Sequence, residues 1–122
     1  MAKLWLSVGA IYGFLGVAFG AFGAHALKDK LAPEMLAVWK TAVEYQFWHA
    51  LALVLVGVLL KSSPSMPLYY SGWAFALGVL FFSGSLYALA LSGVKILGAV
   101  TPLGGVMLMV GWGFLLWYAL KS

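Results

Sequence analysis

The sequence predicts an all-α integral membrane protein: a four-helix bundle with a short interfacial helix between spans 1 and 2. Three observations predict it. The 122 residues are 65% apolar and 8% charged, whereas a soluble domain carries about 25% charge, and the mean hydropathy is +1.04. Four apolar stretches reach or approach the roughly 20 residues that cross about 30 Å of hydrocarbon. Trp5, Tyr69, Tyr70, Trp73, Trp117 and Tyr118 lie near the ends of those stretches, where amphipathic rings form interfacial belts. A segment spanning lipid must pair its own backbone groups, so each stretch is a helix.

The spans fall at about residues 4–27, 44–60, 68–92 and 101–120 of a single domain, 1–122. All seven basic residues are Lys and the net charge is +4. Lysines scattered between apolar runs mark membrane flanks, not a nucleic-acid surface. The chain has no Cys, which excludes disulfides and thiolate metal sites.

Span 1, Leu4 to Leu27, carries no charge. Lys3, the apolar run and Ala24-His25-Ala26 imitate a secretory signal with an A-x-A cleavage site. The run exceeds the signal core of about 7–15 residues, so an uncleaved span is expected. Gly9, Gly13, Gly16, Gly20 and Gly23 are spaced 4, 3, 4, 3. That average places all five on one packing seam of a left-handed helix pair, where a partner helix can come close. His25 is two residues beyond Gly23 and points about 200° from it, off the seam.

A prelude precedes span 2. Pro33 suits a first helical position and Glu34 suits the positive end of a helix dipole. The apolar Met35, Leu36, Val38, Trp39, Ala42 and Val43 predict a helix along the interface that turns into, or continues as, span 2. Lys61 to Pro67 is a Ser/Pro loop. Thr101-Pro102 reads as an N-cap and first helical position for span 4. The alternative is a helix from Ile96 kinked at the proline. Orientation ties: Lys3, Lys61 and Lys121 with the terminal amine share one side, and Lys28, Lys30, Lys40 and Lys95 the other.

Four spans gather the polar residues on one membrane face: His25, Glu44, Tyr45, Gln46, His49, Tyr87 and Thr101. Ser83 and Ser85 lie about 10–14 Å deeper than Ser92. These nine residues form the candidate polar site. Tyr45 and His49 share a helix face, as do Ser83 and Tyr87. Polar groups at membrane depth face a bundle interior or a wet cavity, so the cluster either pins the helices together or lines a pocket. Free N–H groups at the start of span 4 would add positive potential there. His25 and His49, on different helices at one level, permit haem ligation without demanding it. A zinc site would have only Glu44 to add. No nucleophile stands in a triad with either histidine. No metal or cofactor is therefore expected.

GAFGAHAL (20–27), YQFWHALAL (45–53), FSGSLYALALSG (82–93) and TPLGGVMLMVGW (101–112) occur in this order. With these motifs the chain resembles the YgdD/YwdK-like family of small bacterial membrane proteins of unknown function, and looks similar to animal mitochondrial TMEM proteins with the same signature. The resemblance covers nearly the whole chain. It implies a four-helix membrane protein with an uncleaved first span and carries over no catalytic residue.

The sequence favours an assembly or accessory protein of the bacterial cytoplasmic (inner) membrane. It would dock through the glycine seam to a second copy or a larger membrane complex, with lipid as its other partner. The alternatives are a small transporter or channel using the His25/Glu44/His49 side, and a lipid- or cofactor-binding protein. Acid–base catalysis would have only Glu44 and the two histidines to draw on.

Overall fold

The computed structural model describes residues 1–121. These form four long helices: α1 (Ala2–His25), α2 (Pro33–Ser62), α3 (Met66–Ser92) and α4 (Thr101–Lys121), with a 3-10 turn at Lys95–Ala99 before the last. All four spans are long and apolar enough to cross a membrane.

Successive helices are antiparallel neighbours, α1 on α2, α2 on α3 and α3 on α4. The α2/α3 pair is central. From one side α1 also reaches α3, with Trp5 against Gly72 and Tyr12 against Ala76. From the other side α4 reaches α2 through Trp112 and His49. The main core joins Trp5, Leu53, Val56, Leu68 and Phe75. A smaller one joins Leu27, Trp39 and Ala90, with Phe19 and Tyr87 packed on it.

The prelude and span 2 are one helix. At 30 residues and 1.5 Å per residue, α2 is about 45 Å long, so its first turns rise above the hydrocarbon. The separate interfacial helix does not form. Pro33 and Glu34 take the first-turn positions expected of them, and no Gly or Pro follows until Gly57. Trp39 then ties the projecting turns down: it is buried and donates from Nε1 to the Phe19 carbonyl at 2.9 Å.

The glycine seam lies against α2 of the same chain. A Cβ on Gly9 would stand 2.8 Å from Val54 Cγ2, one on Gly16 3.1 Å from Phe47, and one on Gly23 2.5 Å from the Trp39 ring. Gly13 and Gly20 meet Ala50 and Val43 with more room, at 4.0 and 3.4 Å. A docking partner cannot use a surface that α2 already fills. The reason is economy of chain: a short loop returns α2 antiparallel onto the nearest groove, and lipid chains cannot follow so narrow a one.

Two other expectations change. Trp5 is 1% exposed and belongs to the core, because Gly72 opens a notch that its ring fills; Tyr70, Trp73 and Trp117 remain exposed near the span ends. Thr101 does not cap α4. The 3-10 turn and a helical Val100 lead straight into it, and the Val100 carbonyl already takes the Leu103 and Gly104 N–H groups. Pro102 has no N–H to lose there, and the free N–H cluster expected at this end is correspondingly reduced. At the end of α3, Gly93 adopts φ 72°, the left-handed C-cap that glycine supplies without strain.

The notches make a graded prediction. A Cβ on Gly104 would strike the Phe81–Phe82 backbone, whereas one on Gly113 meets nothing within 4 Å. Gly104→Ala is expected to destabilise the fold by about 1–3 kcal/mol. Gly113→Ala should be neutral or stabilising by up to about 1 kcal/mol. Denaturant titration in mixed micelles measures both; equal effects would contradict the packing.

Candidate functional site

The polar face separates into an interior network and an exposed rim. Gln46 is the hub of the interior. It is buried on α2, donates from Nε2 to the Tyr12 carbonyl of α1 at 2.8 Å, and accepts from the Tyr87 hydroxyl of α3 on Oε1 at 2.6 Å. Tyr12 donates its own hydroxyl to the Ala76 carbonyl at 2.8 Å. One amide side chain and two phenols thus bind three helices.

The serines close the remaining gaps. Ser83 donates to the Ala42 carbonyl of α2 at 2.7 Å. Ser85 and Thr101 share a hydrogen bond of 2.6 Å between α3 and α4. Ser71 donates to the Gly111 carbonyl at 2.8 Å, a bond that the close α3–α4 approach permits.

His49 has both ring nitrogens engaged. Nδ1 lies 2.7 Å from the Tyr45 carbonyl, one turn earlier, and Nε2 lies 3.0 Å from Trp112 Nε1. A carbonyl only accepts and an indole N–H only donates. The proton therefore sits on Nδ1, and Nε2 presents its lone pair to Trp112. The Tyr45 ring packs on Phe82, with centroids 4.4 Å apart.

His25 and Glu44 stand apart from this network, both exposed. His25 is not level with His49. The seam sets Gly13 opposite Ala50, and His25 lies 12 residues beyond Gly13, or about 18 Å at 1.5 Å per residue. One haem iron cannot bridge that distance, and His49 has no free nitrogen to offer. Among the described residues, no three His, Cys, Asp or Glu side chains converge as a metal would need.

Three members of the network escaped sequence reading: Tyr12, Ser71 and Trp112. A signal existed for Trp112, since it lies far from both ends of α4, away from the interfacial belt, and an indole N–H at that depth needs an acceptor. Tyr12, alone among the apolar residues of mid-span 1, offered the same hint.

The space beside this network is largely apolar. A cleft of about 140 Å³ opens between α1 and α3, lined by Tyr12, Leu15, Val79, Leu80, Ser83 and Gly84. The polar atoms around it point into their own bonds. The arrangement fastens helices to one another.

Two measurements check this. Tyr87→Phe should cost about 0.6 kcal/mol and at most about 1.7 kcal/mol, the average and the maximum for interhelical bonds in lipid. Combined with Gln46→Leu, its cost should fall well short of the sum, because both remove the same bond. For His49, ¹⁵N solid-state NMR should find the proton on Nδ1; a proton on Nε2 would refute the Trp112 contact.

Comparison with known proteins agrees with a chain embedded in a membrane. A family model described as a protein of unknown function (DUF423) matches residues 19–105. The UPF0382 membrane protein YwdK of Bacillus subtilis is 42% identical over 120 residues, covering 98% of each chain. The UPF0382 membrane protein of Staphylococcus haemolyticus is 46% identical over 110 residues, covering 90% of this chain and 89% of that one. A counterpart in Staphylococcus epidermidis is 44% identical over 119 residues, covering 98% and 97%. No solved structure matches. With a family model over most of its length, close relatives that are membrane proteins of bacteria, and four helices of spanning length, the chain is an integral membrane protein and belongs to the DUF423 family.

Proposed function

We propose that the chain is an accessory or assembly protein of the bacterial cytoplasmic membrane, docking to a second copy or to a larger membrane complex through the outer face of α1. One observation carries the reading: α1 has small residues on both of its faces. The glycine seam is filled by α2. On the far side Ser7, Ala10, Ala18 and Ala21 are exposed, with Phe14 among them at 76% exposure. Ala18 lies two residues past Gly16, about 200° round the helix, so this second stripe is opposite the seam. Small residues let a partner helix approach, and the exposed Ile11 and Phe14 beside them give it something to pack on. Only 17% of the spanning stretch of α1 is buried, against 44% for α2, so the face is open to a partner.

The polar groups support a scaffold by what they do. They are spent on interhelical bonds, which hold the outer helix in place. A transport reading would put Glu44 inside the bundle as its proton or cation site; Glu44 is exposed on α2.

The chain has no native Cys, so single cysteines report contacts directly. Ala18→Cys and Ala10→Cys are expected to give disulfide-linked or crosslinked adducts in membranes, and Leu77→Cys, exposed on α3, should not. A monomer in native nanodiscs, with no adduct from either α1 position, would overturn the reading.

A further inference from the structure

A second opening lies where α1 and α2 leave the hydrocarbon. It is a recess of about 190 Å³ with Gly20 and Gly23 as its floor, Trp39 and Val43 as its walls, and Lys40 and Glu44 on its rim. It exists because two glycines lack side chains beside a large ring. Gly23 is filled by Trp39, but a Cβ on Gly20 would meet only Val43, at 3.4 Å.

The depth is that of lipid head groups. From Glu44 inward α2 is uncharged until Lys61, a run of about 24 Å at 1.5 Å per residue, close to the hydrocarbon thickness. Glu44 therefore stands at the hydrocarbon edge and Lys40 one turn further out. Lys28 and Lys30, in the loop at the same end of the bundle, mark the same water line.

The rim carries one charge of each sign. Lys40 and Glu44 are four apart, so they share a helix face with Cβ atoms about 5–6 Å from each other. Both are exposed, and they make no ion pair with one another or with any other described residue. Each charge is left free above an apolar floor. A single ion would satisfy one and be repelled by the other. A zwitterion satisfies both.

We propose that this recess binds the head group of a phospholipid with a primary ammonium, phosphatidylethanolamine in chemical class. Lys40 takes the phosphate. Glu44 takes the ammonium, which is two carbons from the phosphate ester oxygen and carries N–H groups for the carboxylate. The glycerol end rests on Gly20 and the edge of Trp39, and the acyl chains extend outward into the surrounding bilayer. The outer stripe of α1 is on the opposite face, so this site does not depend on the assembly reading.

The test is native mass spectrometry of the full chain in mild detergent, titrated separately with dioleoyl phosphatidylethanolamine, phosphatidylcholine and phosphatidylglycerol. Phosphatidylethanolamine should bind about threefold tighter than phosphatidylglycerol, the scale of an exposed ion pair. Phosphatidylcholine, whose ammonium has no N–H, should fall between. Glu44→Gln, on the exposed surface and harmless to folding, should remove the preference. Gly20→Leu should fill the recess and reduce binding of all three lipids, while Glu34→Gln, outside it, should change nothing. Equal binding of phosphatidylethanolamine and phosphatidylglycerol by the unaltered chain would overturn the proposal. So would a preference that survives Glu44→Gln.

Discussion

Backbone approach at glycine notches is the constraint on which the rest of this structure depends. In lipid the hydrophobic effect does not draw helices together; packing and interhelical hydrogen bonds must do so. Here the contacts of α1 with α2 and α3, and of α3 with α4, are each built on a missing side chain facing a large group. Gly9, Gly16 and Gly23 receive Val54, Phe47 and Trp39; Gly57 receives Leu6; Gly72 receives Trp5; Gly78 and Gly111 receive Leu108 and Phe75. Interhelical hydrogen bonds accompany this close packing. Ser83 reaches a carbonyl of α2, Ser71 one of α4, and Trp39 one of α1. Carbonyls already bonded within their helices accept a second donor, and short side chains span the gap only because the backbones are near.

The polar residues then become intelligible as fasteners placed where packing alone leaves the geometry free. Gln46 joins α1, α2 and α3, and His49 with Trp112 ties α4 back to α2. Each bond is worth little alone in a membrane, about 0.6 kcal/mol on average. Their joint effect is specificity of register. A slip of one residue in any pair would leave several buried donors without acceptors, at a cost of several kcal/mol per group in hydrocarbon. Trp5 Nε1 is the one buried side-chain polar atom among the described residues left without a partner. Its ring fills the Gly72 notch and meets Trp73 edge-on at 5.0 Å, so packing offsets the unmade bond.

With the interior closed, what the molecule offers to others lies on its outside. The outer face of α1 carries small residues among exposed large ones such as Ile11 and Phe14, and the recess above Gly20 has a rim of mixed charge. Both follow from an α1 so rich in glycine and alanine that one face can be given to α2 and the other left free.

Composition and hydropathy by themselves determined that the chain is helical, membrane-embedded and four-spanning, because a backbone in hydrocarbon has no other way to pair its polar groups across so many apolar residues. Periodicity determined the five-glycine seam, since spacing alone sets which residues share a helix face. Only the tertiary structure decided what lies against that seam, which of two readings of the α2 prelude holds, and that Thr101 meets Ser85 instead of capping its helix. The same is true of the polar face. Topology placed nine residues near one membrane surface, but it could not tell that His25 and Glu44 point out while Gln46, His49, Ser83, Ser85, Tyr87 and Thr101 close on partners within the bundle. The reason is physical: spacing along one helix fixes direction relative to that helix, whereas a hydrogen bond between helices needs the rotation and depth of both. Those are set by side-chain volumes meeting glycine notches far apart in sequence.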